Sequence, residues 1–87
     1  MEEKLHPIVQ SLRELESDQQ LPKSLKLKIG TAIRTLEQNN ELSMRVSRAL
    51  NELEELTDDQ NMQAYTRTQL FNIISMLEAV TSSEKLV

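Results

Sequence analysis

Leu21-Pro22-Lys23-Ser24-Leu25-Lys26-Leu27-Lys28-Ile29-Gly30-Thr31-Ala32-Ile33-Arg34-Thr35-Leu36 decides the fold. Leu25, Ile29, Ala32, Ile33 and Leu36 recur at steps of three and four, so at about 100° per residue they form one apolar stripe on a helix. Pro22 suits the first helical position, where its fixed φ fits and its missing N–H is not needed. Glu37-Gln38-Asn39-Asn40 ends the helix, because asparagine accepts left-handed backbone angles and bonds its own turn. Gly30 falls on the face opposite the stripe, at a cost of about 1 kcal/mol relative to alanine. Either something approaches it closely or it is merely tolerated.

The same spacing recurs on both sides of this stretch. Leu5, Ile8, Val9, Leu12 and Leu15 mark a first helix that starts near His6-Pro7 and ends at the polar Ser17-Asp18-Gln19-Gln20. Leu42, Val46, Ala49, Leu50, Leu53 and Leu56 mark a third. Its outward face offers Glu41 with Arg45 and Arg48 with Glu52 as i,i+4 pairs, each worth about 0.2–0.5 kcal/mol. Thr57-Asp58-Asp59-Gln60-Asn61 breaks the chain again. Asp59 or Asn61 can cap a fourth helix, and Thr66 with Gln69 forms a later capping box; the choice stays open. In that helix Leu70, Ile73, Ile74 and Leu77 make the stripe, Tyr65, Met76 and Val80 widen it on one side, and Phe71 widens it on the other. The apolar arc then reaches roughly 200°, about twice that of a helix lying on its own core. Such a helix is either central to the bundle or presents a second interface.

The expected helices span about 4–16, 22–37, 41–56 and 63–80, with a frayed tail over 81–87. Short connections force neighbouring helices antiparallel, so the expected fold is all-α, a four-helix up-and-down bundle in a single domain over 1–87. No internal repeat of sequence stands out.

Composition narrows the functions. One glycine and two prolines in 87 residues are too few for a turn-dense β protein. With no cysteine, disulfides, thiolate metal sites and cysteine nucleophiles are all excluded. No apolar run approaches the roughly 20 residues that span a bilayer, so the expected location is the cytoplasm with no membrane partner. His6, the one histidine of the chain, stands off the apolar stripe and has no evident orienting partner. Asp58-Asp59 with Asn61 lacks the glycine and closing glutamate of a calcium loop, and Glu52, Glu54 and Glu55 lack the histidines of a carboxylate-bridged metal bundle. No cofactor, metal, small-molecule substrate or enzyme activity is expected.

Charge is unevenly placed. The net charge of −4 divides into −3 over 1–20, +4 over 21–48, −5 over 49–63 and 0 over the remainder. The second helix is expected to show Lys23, Lys26 and Arg34 beside Leu27 on an outward basic face, a surface for an acidic partner, protein or RNA. The absence of interleaved aromatics counts against RNA. Tyr65, Phe71, Met76 and Val80 on the fourth helix are the candidate surface for a homodimer seam or a protein partner. Arg67 is expected to pair with a nearby carboxylate, Asp58, Asp59 or Glu78, in preference to a partner's anion.

Asn61-Met62, Thr66-Arg67-Thr68, Asn72-Ile73-Ile74-Ser75 and Leu77-Glu78, with Leu21-Pro22-Lys23 at the second helix, resemble a family of small archaeal all-helical proteins, uncharacterised protein family zero-one-four-seven. The resemblance covers nearly the whole chain. It implies a four-helix bundle and an archaeal, cytoplasmic source, and it implies no activity, since none is established for the family. That family's pattern has a proline after Asn61-Met62, a histidine before Thr66-Arg67-Thr68 and a bulky aromatic before Asn72. Here those places hold Gln63, Tyr65 and Phe71, so no role for the histidine transfers. The function expected is a non-catalytic protein-interaction or structural module, with an RNA- or ribosome-associated accessory protein as the alternative.

Overall fold

The computed structural model describes residues 2–85 and contains four α-helices: α1 (Leu5–Glu16), α2 (Lys23–Glu37), α3 (Leu42–Leu56) and α4 (Ala64–Lys85). A single 3-10 turn over Glu2–Lys4 precedes α1. Contacts run α1 with α2, α2 with α3, α3 with α4 and α4 back to α1, which closes the four into a bundle. No strand occurs among the described residues. α4 has 22 residues, about 33 Å at 1.5 Å per residue, and runs most of the bundle's 39 Å length.

The stripes read from the spacing meet in one core. Leu12, Ile29, Ala32, Ala49, Leu53, Leu70 and Leu77 are wholly buried, and Val9, Leu42 and Leu50 pack against the edge of this cluster. Burying a leucine-sized side chain contributes about 1.5–3 kcal/mol, so these contacts, and not helix propensity, hold 12- to 22-residue helices in place.

Helix boundaries shift by about one residue where the backbone decides. Pro22 is not the first helical residue: at φ −56° and ψ 145° it is the N-cap, and its carbonyl accepts the amide of Lys26 at 3.0 Å. Gln63 does the same for α4, accepting the amide of Arg67 at 2.9 Å. That settles the start of α4, and Thr66 is buried within the helix instead of capping it. At the other end α4 continues to Lys85, past the expected end at 80; of the tail expected to fray over 81–87, Leu86 and Val87 lie outside the described residues.

The two helical hairpins repeat each other with an offset of 41 residues, which the bare sequence conceals. Leu5, Ile8, Leu12, Leu15 and Leu21 are buried, and so are Val46, Ala49, Leu53, Leu56 and Met62. Leu25, Ile29, Ala32, Ile33 and Leu36 likewise match Thr66, Leu70, Ile73, Ile74 and Leu77. The turns match as well. Asp18 Oδ1 accepts the amide of Gln20 at 3.0 Å and its carbonyl accepts the amide of Leu21. Asp59 Oδ1 accepts the amide of Asn61 at 2.8 Å and its carbonyl accepts the amide of Met62. An aspartate bonding the backbone two residues on makes the same tight reversal in both places.

A candidate interaction groove between the first and fourth helices

α1 and α4 leave a groove of about 430 Å³ between them. Ser11, Glu14, Leu15 and Asp18 line one wall, Tyr65, Gln69, Asn72, Ile73 and Met76 the other. Tyr65, Gln69, Asn72 and Met76 succeed one another at steps of three and four along α4, so the helix presents them as one ridge. Gln69 Nε2 donates to the Tyr65 hydroxyl at 3.0 Å, which fixes the ring while leaving the phenolic proton available. Tyr65 is 70% exposed, far more than a core aromatic. The two carboxylates of the lining, Glu14 and Asp18, face no lysine or arginine within it.

The internal repeat explains why the groove is open. Its counterpart is the seam between α2 and α3, where Ser24, Lys28, Thr31, Ala32 and Thr35 stand in the places of Tyr65, Gln69, Asn72, Ile73 and Met76. Smaller residues at three of those five positions, Ser24, Ala32 and Thr35, let the helices approach, and Thr35 Oγ1 donates to Glu52 Oε2 across the seam at 3.3 Å. α2 and α3 share the most extensive of the four helix contacts, α1 and α4 the least. At the positions equivalent to Thr35 and Glu52 stand Met76 and Ser11, which form no such bond among the described residues.

The four candidate surface residues of α4 do not lie on one surface. Tyr65 and Met76 flank the groove. Val80 is 5% exposed and belongs to the core, because the stripe continues to it from Ile73 and Leu77. Phe71 is half exposed on a different flank, about 120° from Tyr65 and 140° from Met76 around the helix. The broad apolar arc is a core stripe with two separate margins.

The basic face of α2 is interrupted. Lys23, Leu27 and Arg34 are exposed and Lys26 is half-buried, but the Glu16 carboxylate lies over Gly30 in the middle of this face, beside the Arg34 guanidinium. Gly30 is thus buried beneath an acidic side chain from α1 and does not face solvent. Arg34 also donates to the Thr31 hydroxyl at 3.2 Å. Lys23, Lys26 and Leu27 remain at the start of the helix as the open part of the surface.

Two arginines close helix ends. Arg67 Nη2 donates to the backbone carbonyl of Asp59 at 2.7 Å, so its partner is the α3–α4 turn and not a carboxylate. Arg45, expected to pair outward with Glu41, is buried and donates through Nη1 to the Leu36 carbonyl at 2.9 Å. Spacing alone does not mark Arg45; its only signal is its place three residues after Leu42 at the margin of the stripe. Glu52, expected to pair with Arg48, instead accepts from Thr35. His6 is exposed beside Leu5, Val9 and Glu37 and forms no hydrogen bond among the described residues. Arg13 forms a salt bridge with Glu37 across α1 and α2. No group of three or more His, Cys, Asp or Glu among the described residues is placed to hold a metal ion, and no helix there is long and apolar enough to cross a membrane.

Comparison with other proteins agrees with this architecture. A protein of Sulfurisphaera tokodaii, described as a UPF0147 protein, is 35% identical over 81 residues, covering 91% of this chain and 90% of its own. One from Thermoplasma acidophilum is 38% identical over 73 residues, 83% of each chain. A crystal structure of an unknown function protein, MMP1188, superposes with a TM-score of 0.83 at 33% identity, covering 86% of both chains. The profile of the family described as Uncharacterised protein family (UPF0147) matches residues 1–80, and the chain belongs to that family.

Proposed function

We propose that this protein is a non-catalytic interaction module of the cytoplasm, which binds another polypeptide along the groove between α1 and α4. The observation that carries this reading is the difference between two equivalent seams. One is closed by small residues and a hydrogen bond, and the other is held open by Tyr65 and Met76. A chain selected only to fold gains by closing both, since an exposed tyrosine and methionine beside a groove leave apolar surface in water. An open seam of this size with an aromatic anchor is a surface for a partner's side chains. The non-catalytic part rests on His6, which no hydrogen bond orients among the described residues. The RNA alternative has less behind it, because Glu16 sits within the basic face.

The test is a chain carrying Tyr65→Ser and Met76→Thr, the residues found at the equivalent positions of the closed seam. Immobilised wild-type protein is expected to retain specific polypeptides from an archaeal extract, and the double variant to lose them at unchanged helicity. Identical retention by both chains removes the groove as the binding surface.

A further inference from the structure

The groove carries two acids on its α1 wall and Tyr65, Ile73 and Met76 beside two amides on its α4 wall, and the same chain displays a short basic surface with an exposed leucine. Glu14 is exposed, and its carboxylate forms no ion pair among the described residues. Asp18 is half-buried and accepts the Gln20 amide through Oδ1 alone among the described residues. Lys23, Lys26 and Leu27, spaced three and four apart, share one face at the start of α2, and Leu27 is 62% exposed. These two surfaces occupy the same end of the bundle. Asp18, Pro22 and Thr66 line one small hollow there, where α1 ends and α2 and α4 begin.

Resting on the reading of the groove as a binding surface, we infer that its occupant is a second copy of this chain. Leu27 of one protomer packs against Tyr65 of its partner, at the end of the groove nearest Asp18, while Lys23 and Lys26 face the partner's acidic wall. Because the donor surface and the receiving groove lie at one end, a two-fold axis through that end lets both contacts form at once. The association then closes as a dimer and does not propagate as a filament. Charge complementarity favours this occupant: the groove lining has acids without bases, and the open part of the α2 surface has bases without acids. A small dimer contact covers about 600 Å² per protomer, roughly a tenth of this chain's 5702 Å² surface, so the dimer is weak.

Sedimentation velocity on the full chain, from about 10 µM to about 1 mM, tests this. Three chains are compared with wild type: Glu14→Lys, Lys23→Glu with Lys26→Glu, and all three changes together. Each partial reversal is expected to raise the dimer Kd about tenfold, and the complete swap to bring it back to within about threefold of wild type. Glu14→Lys also removes two units of the net charge of −4, which by itself favours association. A weaker dimer in that variant therefore reports the local contact. Helicity by circular dichroism confirms that each chain is folded; should one fail, Glu14→Gln and Lys23→Gln serve at smaller effect. A monomer at every concentration, a Kd indifferent to reversal, or a swapped chain no tighter than the partial ones overturns the inference. A monomer that still loses extract partners through Tyr65→Ser and Met76→Thr overturns the second copy and leaves the groove as a binding surface.

Discussion

The carboxylate of Glu16 lies over Gly30: a Cβ added to the glycine would stand 2.7 Å from Glu16 Oε2 and 3.6 Å from Arg34 Nη1. Contact that close resembles a requirement for glycine, but the obstructing atom is the far end of a flexible side chain that is only half-buried. The glycine has no positive φ to preserve. Swinging Glu16 aside costs little, whereas alanine in a helix interior gains about 1 kcal/mol over glycine. Gly30→Ala is therefore expected to raise the midpoint of thermal unfolding by about 4 °C. An unchanged or lower midpoint would show that Glu16 is held in place by more than its own rotamer.

Arg67 bonds a carbonyl where a carboxylate was expected, and the two possibilities separate cleanly by mutation. Arg67→Ala removes a charged donor from the Asp59 carbonyl and is expected to cost about 1.5–3 kcal/mol in chemical denaturation. Asp59→Asn keeps both the carbonyl and a side-chain oxygen able to accept the Asn61 amide, so it is expected to change stability by less than about 0.5 kcal/mol. A large loss in Asp59→Asn would restore the carboxylate as the partner of Arg67.

Much of the fold is legible in the chain because burial on one side of a helix leaves a periodic record. The stripes of α1 and α2, Leu12 and Ile29 among them, are buried as their spacing requires. Errors gather at stripe margins, where a residue is covered or not according to which neighbour lies beside it. Gly30 is buried by such a neighbour, Glu16, and nothing local announces it, whereas Val80 follows Ile73 and Leu77 at helical spacing and extends the stripe. Arg45 and Arg67 were legible as charges but not as caps, since a backbone carbonyl has no letter in the sequence. The repeat was hidden for a related reason. It preserves the ten core positions and the two aspartate turns while replacing Leu5 by Val46 and Ile8 by Ala49. The groove follows from the repeat, so it too became visible only when equivalent seams could be compared.

Arg45 reaches from α3 to the last turn of α2, where carbonyls lack intrahelical partners and the helix dipole favours a cation. Truncation removes a buried aliphatic stem as well as the donor. Arg45→Ala is expected to lower stability by about 2–4 kcal/mol with an unchanged denaturant slope. Arg45→Met, which keeps the stem and abandons the carbonyl, is expected to fall between alanine and wild type. If methionine matches wild type, packing of the stem and not the capping bond is what the residue supplies.

Glu41 precedes α3 as its N-cap at φ −59° and ψ 142°, yet its side chain makes no capping bond. Its carbonyl already accepts the amide of Arg45 at 3.1 Å, so the backbone has the geometry a cap needs. What is missing is a side-chain oxygen at the right reach, because the glutamate carries its carboxylate one methylene too far to fold back onto its own first turn. Glu41→Asp supplies that oxygen while keeping the charge that favours a helix N-terminus. The substitution is expected to add about 0.5–1 kcal/mol, seen as a higher denaturant midpoint. Glu41→Ser, which drops the charge and keeps the oxygen, separates the two contributions. Equal gains from Asp and Ser would show that the charge adds nothing at this position, and a gain from Asp alone would show that loss of the charge–dipole interaction in Ser offsets the new hydrogen bond.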